Sequence, residues 1–279
     1  MRIIEHKILK KAVYALVMRA NTELRSDVLR ALKQAQSREK SALAKSALKA
    51  ILENAAVAKK EKLAICQDTG LPVVFLELGQ KVFVKGDIID IIGRAIEEGY
   101  KKSYFRASIQ KDALSRSYRP SYGPVIVHTD IVRGNKIKIT LLPKGFGCEN
   151  KAQVKMFAPT AAVAEIEDFV VAAVKQAGAS ACPPYVVGVG IGGTQDLACL
   201  LAKRALLLPI DKRNQSKNIA ILEQRLNKRI NTLGIGPFGY GGKTTSLAVK
   251  IKTCPTHIAG LPVAVNISCH ALRSAAISI

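Results

Sequence analysis

The stretch Cys182-Pro183-Pro184-Tyr185-Val186-Val187-Gly188-Val189-Gly190-Ile191-Gly192-Gly193-Thr194 decides how this chain can be folded. Residues 185–189 are apolar and β-branched, the composition of a buried strand. A Gly-rich turn follows, and residues 195–206 then take up a helical period. Gly188, Gly190 and Gly193 match G-x-G-x-x-G between strand and helix, with Asp211 eighteen residues beyond. That is the layout of a dinucleotide-binding turn. The reading is set aside, because the strand lies far from the start of any βαβ series and that fold leaves Cys182-Pro183-Pro184 unexplained.

Outward from this stretch, the chain alternates helices and strands. Residues 1–58 read as helices. Ile4, Ile8, Ala12, Leu16 and Met18 mark the first; Val28, Leu29 and Leu32 follow the Ser26-Asp27 start of the second; Ala42, Leu43, Ala47, Leu48, Ile51 and Leu52 continue in a third. Strands are expected at 72–78, 125–129, 136–141 and 247–251, with a turn at Arg133-Gly134-Asn135 between the middle two. Helices are expected at 88–100, 159–177 and 216–231. The expected fold is mixed α/β in one unit, 1–279. A helical N-terminal segment (1–58) packs on an α/β region (59–279) with small mixed or antiparallel sheets.

Composition narrows the function classes. The 279 residues carry 43 Lys plus Arg against 21 Asp plus Glu, a formal +22, with 48% apolar residues and no Trp. So apolar a chain is not disordered. No run approaches the length of a membrane span, and charge comes too early in the N-terminus for a secretory signal. The cysteines, Cys66, Cys148, Cys182, Cys199, Cys254 and Cys269, are widely spaced and form no C-x-x-C. This points to a reducing cytoplasm, with thiols or metal ligands rather than disulfides, and excludes zinc-ribbon and ferredoxin spacings. The surplus charge suits nucleic acid, an acidic protein subunit or an anionic small substrate, and composition does not choose among them.

Four loops and one tail have the composition of sites. Cys66-Gln67-Asp68-Thr69-Gly70 places a thiol, an amide and a carboxylate in a turn before a strand; it reads either as an ordinary Asp turn or as a thiolate beside a proton-transfer carboxylate. Lys144-Gly145-Phe146-Gly147-Cys148-Glu149-Asn150-Lys151 combines close-approach glycines with positive charge. The third is the Gly-rich turn above. In the fourth, Gly241-Gly242-Lys243-Thr244 imitates a phosphate-binding loop, but the template needs Gly at Pro237 and no helix follows; the other reading is a backbone-rich loop for a carboxylate. Beyond it lie His257 and the pair Cys269-His270.

Taken in order, these segments resemble the iron–sulfur class I fumarate hydratases, a pattern shared with the α subunit of L-tartrate dehydratase. The resemblance rests on Cys66-Gln67-Asp68-Thr69-Gly70, Lys144-Gly145-x-Gly147-x-Glu149-Asn150, Cys182-Pro183-Pro184, Gly188-Val189-Gly190-Ile191-Gly192-Gly193, Leu233-Gly234-Ile235-Gly236-Pro237, Gly241-Gly242-Lys243-Thr244-Thr245 and the run from His257 to Asn266. It extends over about 4–273. It implies a [4Fe–4S] cluster held by Cys66, Cys182 and Cys269, with one iron left open to substrate. The sequence gaps of 116 and 87 residues would not reveal such a site by themselves. It further implies Asp68 and His257 as the proton-transfer pair, and Gln67, Arg106, Lys144, Gly145 and Gly147 as holders of substrate carboxylates. The expected reaction is the reversible hydration of fumarate to malate, on a small dicarboxylate.

Single-chain members continue into a second domain. The end of this sequence at Ile279 therefore leads to the expectation of a separate β subunit in an α2β2 assembly, in the cytoplasm and with no membrane association. Two departures bear on the substrate. Cys148 stands where the family has Ser, and residues 115–124 replace a segment near the carboxylate region. The alternatives carried forward are an L-tartrate dehydratase α subunit and, from another class, a basic nucleic-acid-binding protein. An NAD-dependent oxidoreductase ranks third. Cys199 is expected in the core of its helix.

Overall fold

The computed structural model describes residues 2–279. In chain order its elements begin with β1 (Arg2–Ile4), α1 (His6–Thr22), α2 (Ser26–Arg38), α3 (Ala42–Glu61), β2 (Leu71–Gly79), β3 (Val82–Val84), α4 (Ile88–Lys102), β4 (Ile126–Val132) and β5 (Ile137–Lys144). They continue with α5 (Phe146–Glu149), β6 (Gln153–Phe157), α6 (Val163–Ala177), β7 (Tyr185–Ile191), α7 (Gln195–Ala205), α8 (Lys217–Asn231), β8 (Ser246–Thr253), β9 (Leu261–Ser268) and β10 (Ala275–Ser278). The fold is mixed α/β with small sheets. The chain divides into two compact units that interleave in sequence: 1–25, 55–146 and 273–279 form the first, and 26–54 and 147–272 the second. The N-terminal helices are shared out, α1 to the first and α2 to the second.

The first unit is built on β2, whose middle is buried. β5 pairs antiparallel on one side of β2 and β4 parallel on the other, and β10 adds to β5. The turn at Arg133-Gly134-Asn135 therefore does not close a hairpin; β4 and β5 flank β2. The chain crosses the end of β2 at Gly79, where a Cβ would lie 2.7 Å from the carbonyls of Gly134 and Lys136. α4 covers this unit. Its N-cap Asp87 accepts from the Ile89 and Asp90 N–H groups, satisfying donors the helix cannot. Ile92, Ala95, Ile96 and Tyr100 bury against Leu9, Val13, Leu16 and Val17 of α1. Of the residues expected here, Leu16 is buried and Met18 packs against this core, Ile4 is buried in it from β1, and Ile8, 54% exposed, faces away.

The second unit is a sheet in the order β6-β9-β7-β8, with β7 parallel to β8 and β9 antiparallel to both its neighbours. β9, an apolar run with no turn signal inside it, is thus an inner strand. α6 and α8 share one core with this sheet through Val170, Val174, Leu226, Val187 and Val265. The G-x-G glycines now have a packing explanation. A Cβ on Gly188 would lie 2.2 Å from the Ala202 carbonyl, and one on Gly190 would lie 2.0 Å from that of Ala198. These glycines let the α7 backbone lie directly on β7; they do not open onto a phosphate. Cys199 corrects another expectation. The buried positions of α7 are Ala198, Leu201, Ala202 and Ala205, so Cys199 falls off that stripe and is exposed.

Gly190→Ala should therefore push α7 off the sheet, since its new Cβ meets backbone rather than a flexible side chain. Denaturant unfolding is expected to show a loss of more than about 2 kcal/mol. An unchanged midpoint would mean the helix yields without cost.

Candidate active site

In the first unit, the Cys66–Gly70 turn is held on every side. Asp68 Oδ1 accepts the Gly70 N–H at 2.9 Å, the local closure typical of an Asp turn. Its Oδ2 accepts the Phe146 N–H at 2.8 Å, and its carbonyl accepts Arg273 Nη2 at 2.7 Å. Main-chain N–H groups thus fix both carboxylate oxygens. The buried Thr69 hydroxyl donates to the Arg106 carbonyl at 2.8 Å, and the Thr69 carbonyl accepts the Tyr100 hydroxyl at 3.1 Å. Burial pushes the Tyr100 phenol up to about 12, so it stays a donor. Gly70 is required: φ is +74°, and a Cβ would meet the Lys144 backbone at 2.8 Å.

These bonds bring Cys66, Gln67, Asp68, Arg106, Lys144 and Gly145 into one neighbourhood of this unit. Gln67 and Arg106 are exposed, while Lys144 is 2% exposed at the end of β5. A Cβ on Gly145 would lie 3.1 Å from Asp68 Oδ2, so glycine there leaves the face of that carboxylate open.

The second unit carries Gly147, Cys182, His257 and Cys269. Cys182 has φ +57°, unusual for a residue with a side chain. Its carbonyl is 3.0 Å from His270 Nδ1; since a carbonyl only accepts, that nitrogen carries the proton. Cys182 is thereby tied to the residue directly after Cys269. Burial raises the Tyr185 phenol, reinforced by Cys148, Cys182 and Cys269, and its hydroxyl donates to the Gly178 carbonyl. Cys148 is buried and donates from Sγ to the Ala181 carbonyl at 3.4 Å, a donor role a serine could also fill.

His257 is exposed, on a loop seated on the Gly192-Gly193 turn. The Gly193 N–H donates to the Pro255 carbonyl, and a Cβ on Gly192 would strike the Cys254 carbonyl. His257 Nδ1 accepts the Ala259 N–H at 3.2 Å, which leaves the neutral ring's proton on Nε2. Gly147 is exposed on α5, where the next residue but one, Glu149, accepts from Lys203 at 2.6 Å and Asn266 at 3.0 Å.

The phosphate-loop lookalike is filled from within. The buried Glu39 carboxylate accepts the N–H groups of Lys40, Ser41 and Lys243. Burial works against its charge, but the Ser41, Lys243 and Lys40 N–H groups outweigh it and hold the pKa below the ordinary 4.5.

None of the six cysteines is in a disulfide. Among the described residues, no three His, Cys, Asp or Glu side chains converge as ligands to one ion. Cys66 and Cys269 are half-buried and Cys182 is exposed, whereas Cys148 is buried. Thiolates are the ligands of iron–sulfur clusters, in which each binds its own iron rather than a shared point. In that respect the donor set fits such a group. The roles of Arg273, His270 and Tyr185 in these contacts are not legible in the sequence, although His270 stands out there beside Cys269. Their partners lie 205, 88 and 7 residues away, and only the last separation is local enough to leave a pattern.

Asp68 is thus held by main-chain N–H groups, while Gln67, Arg106 and His257 are exposed. The profile of the family described as Fumarate hydratase (Fumerase) matches residues 10–278, and the chain belongs to this hydro-lyase family. It is 40% identical over 271 residues, 94% of each chain, to a protein of Methanocaldococcus jannaschii provisionally named L(+)-tartrate dehydratase subunit alpha. It is 30% identical over 256 residues to proteins named L(+)-tartrate dehydratase subunit alpha from Escherichia coli strain K12 and Shigella sonnei, covering 91% of this chain and 84% of theirs. Among the described residues, no helix is long and apolar enough to cross a membrane.

Because the folded-state pKa of Glu39 is lowered, its stabilising contribution is complete above about pH 4.5 and is lost as pH falls through the folded value. Glu39→Gln should cost roughly 1–3 kcal/mol at neutral pH and flatten the acid side of the stability profile. A variant profile parallel to that of the parent chain would refute this.

Proposed function

We propose that this chain is the α subunit of a two-subunit hydro-lyase that interconverts malate and fumarate. The observation that carries the reading is the extent of the family match, 10–278, which takes in Cys66, Asp68, Cys182, His257 and Cys269. A [4Fe–4S] cluster on Cys66, Cys182 and Cys269 would supply a Lewis-acidic iron with an open position.

Dehydration takes a proton from C3 of malate and the hydroxyl from C2, giving fumarate and water. Asp68 and His257 are the pair assigned to the proton at the hydroxyl. Asp68 works through a carboxylate that main-chain N–H groups hold in place, and His257 through Nε2, the ring nitrogen left open when Ala259 occupies Nδ1. Arg106 and Gln67 bind the substrate carboxylates from exposed positions, Arg106 through a forked guanidinium. Lys144 adds buried positive charge behind them. Gly145 and Gly147 leave room for the substrate to approach the main chain.

The β subunit is supported by the names of the relatives, which are α subunits. We assign an α2β2 assembly and a cytoplasmic location, where thiolates stay reduced. A second reading, L(+)-tartrate as substrate, is favoured by those same names. Loss of water from tartrate gives an enol that tautomerises to a 2-oxo acid, a product distinguishable from fumarate.

The test is anaerobic co-expression with a candidate β subunit, followed by iron and sulfide analysis and product detection from malate, fumarate and L(+)-tartrate. About four irons per chain, lost when Cys66, Cys182 or Cys269 becomes Ser, are expected together with fumarate formation from malate. A 2-oxo acid from tartrate alone would select the second reading. A protein with neither cluster nor activity on any of the three acids would overturn both.

A further inference from the structure

Arg273 is 3% exposed, yet only one of its guanidinium nitrogens has a partner. Nη2 donates to the Asp68 carbonyl at 2.7 Å, while Nε and Nη1 are buried with no hydrogen-bond partner. A buried charge with so few partners is costly, and an apolar side chain of similar volume often replaces one without loss. The fold of this unit therefore gives no stability reason for a cation here. Its location gives another. The Cβ position left empty at Gly145 is 3.1 Å from Asp68 Oδ2 and 3.9 Å from Arg273 Nη2, so the guanidinium and the carboxylate border one small space. The Tyr100 phenol senses both charges.

We propose that Arg273 is a positioning residue that holds the Asp68 carboxylate in its working direction by clamping the Asp68 carbonyl. The Gly70 and Phe146 N–H groups fix the two carboxylate oxygens, and Arg273 fixes the main chain from which the carboxylate projects. Without the third restraint, the Cys66–Gly70 turn can tilt about the other two. This assignment rests on the proton-transfer role given to Asp68.

The experiment has two arms. In the full chain without a cluster, alkylation rates of Cys66 and Cys182 by iodoacetamide are compared by mass spectrometry for the parent protein, Arg273→Met and Arg273→Lys, with thermal midpoints alongside. The expected result for Arg273→Met is several-fold faster alkylation of Cys66, an unchanged rate at Cys182, and a midpoint that is unchanged or raised. Arg273→Lys, which keeps a donor for the carbonyl, should return the Cys66 rate toward the parent value. An unchanged Cys66 rate overturns the proposal, as does a parallel rise at both thiols with a lowered midpoint, which would mark a merely structural role.

In the complex with the β subunit, kcat should fall at least about tenfold in Arg273→Met with KM nearly constant. A raised KM with kcat unchanged would make Arg273 a substrate contact instead and overturn the positioning role. If the parent complex acts on none of the acids while Cys66 responds as expected, the hydro-lyase reading fails and the clamp on the turn stands.

Discussion

The Asp68 turn is the constraint on which the first unit's chemistry depends. Five residues cannot fix themselves, and this turn is fixed by groups brought from 37, 78 and 205 residues away: the Arg106 carbonyl, the Phe146 N–H and the Arg273 guanidinium. Each comes from a different piece of the unit. Arg106 follows α4, Phe146 follows β5, and Arg273 precedes β10, which pairs with β5. The sheet order β10-β5-β2-β4 therefore does more than bury β2; it delivers two of the three restraints to the start of the strand it surrounds.

The charge imbalance lies at the surface. Among the described residues, Asp27, Glu39, Glu167 and Glu223 are buried, against Lys144, Lys250 and Arg273. The buried acids are heavily used. Glu223 takes Lys250 and the Ile251 N–H, Glu167 takes Arg225 and Arg229, and Glu39 takes three N–H groups. The buried charges nearly cancel, so almost the whole +22 surplus lies at the surface. Such a field draws anions, which suits a dicarboxylate and an acidic subunit equally well. Exposed pairs such as Lys49–Glu53 add little stability.

Much of the element list was legible because it rests on local physics. α4 is legible as the helix expected at 88–100, and β7 as an apolar, β-branched run before a Gly-rich turn. What failed was partnership. On α1 the exception is Ile8, which is exposed while Leu16 and Met18 meet the core shared with α4. β4 and β5 look like a hairpin, since a short Gly turn joins two strands. Only the presence of β2 between them shows otherwise. β9 carries no alternation, because both its neighbours in the sheet and the layers around it keep it buried.

The sequence by itself determined which residue types stand in which loops. The thiol-amide-carboxylate turn, the glycines around Phe146, the Cys182 loop and His257 are all visible there, because each is a short word with its own composition. The tertiary structure alone decided what those words do. Gly188 and Gly190 look like phosphate binders and are seats for a helix; Gly242-Lys243 looks like an anion loop and already holds Glu39; Arg273 looks like any surface arginine and is buried on Asp68. The reason is physical. A residue's chemistry depends on which donors, acceptors and apolar atoms surround it, and here those come from chain positions too distant for any periodicity or spacing to link.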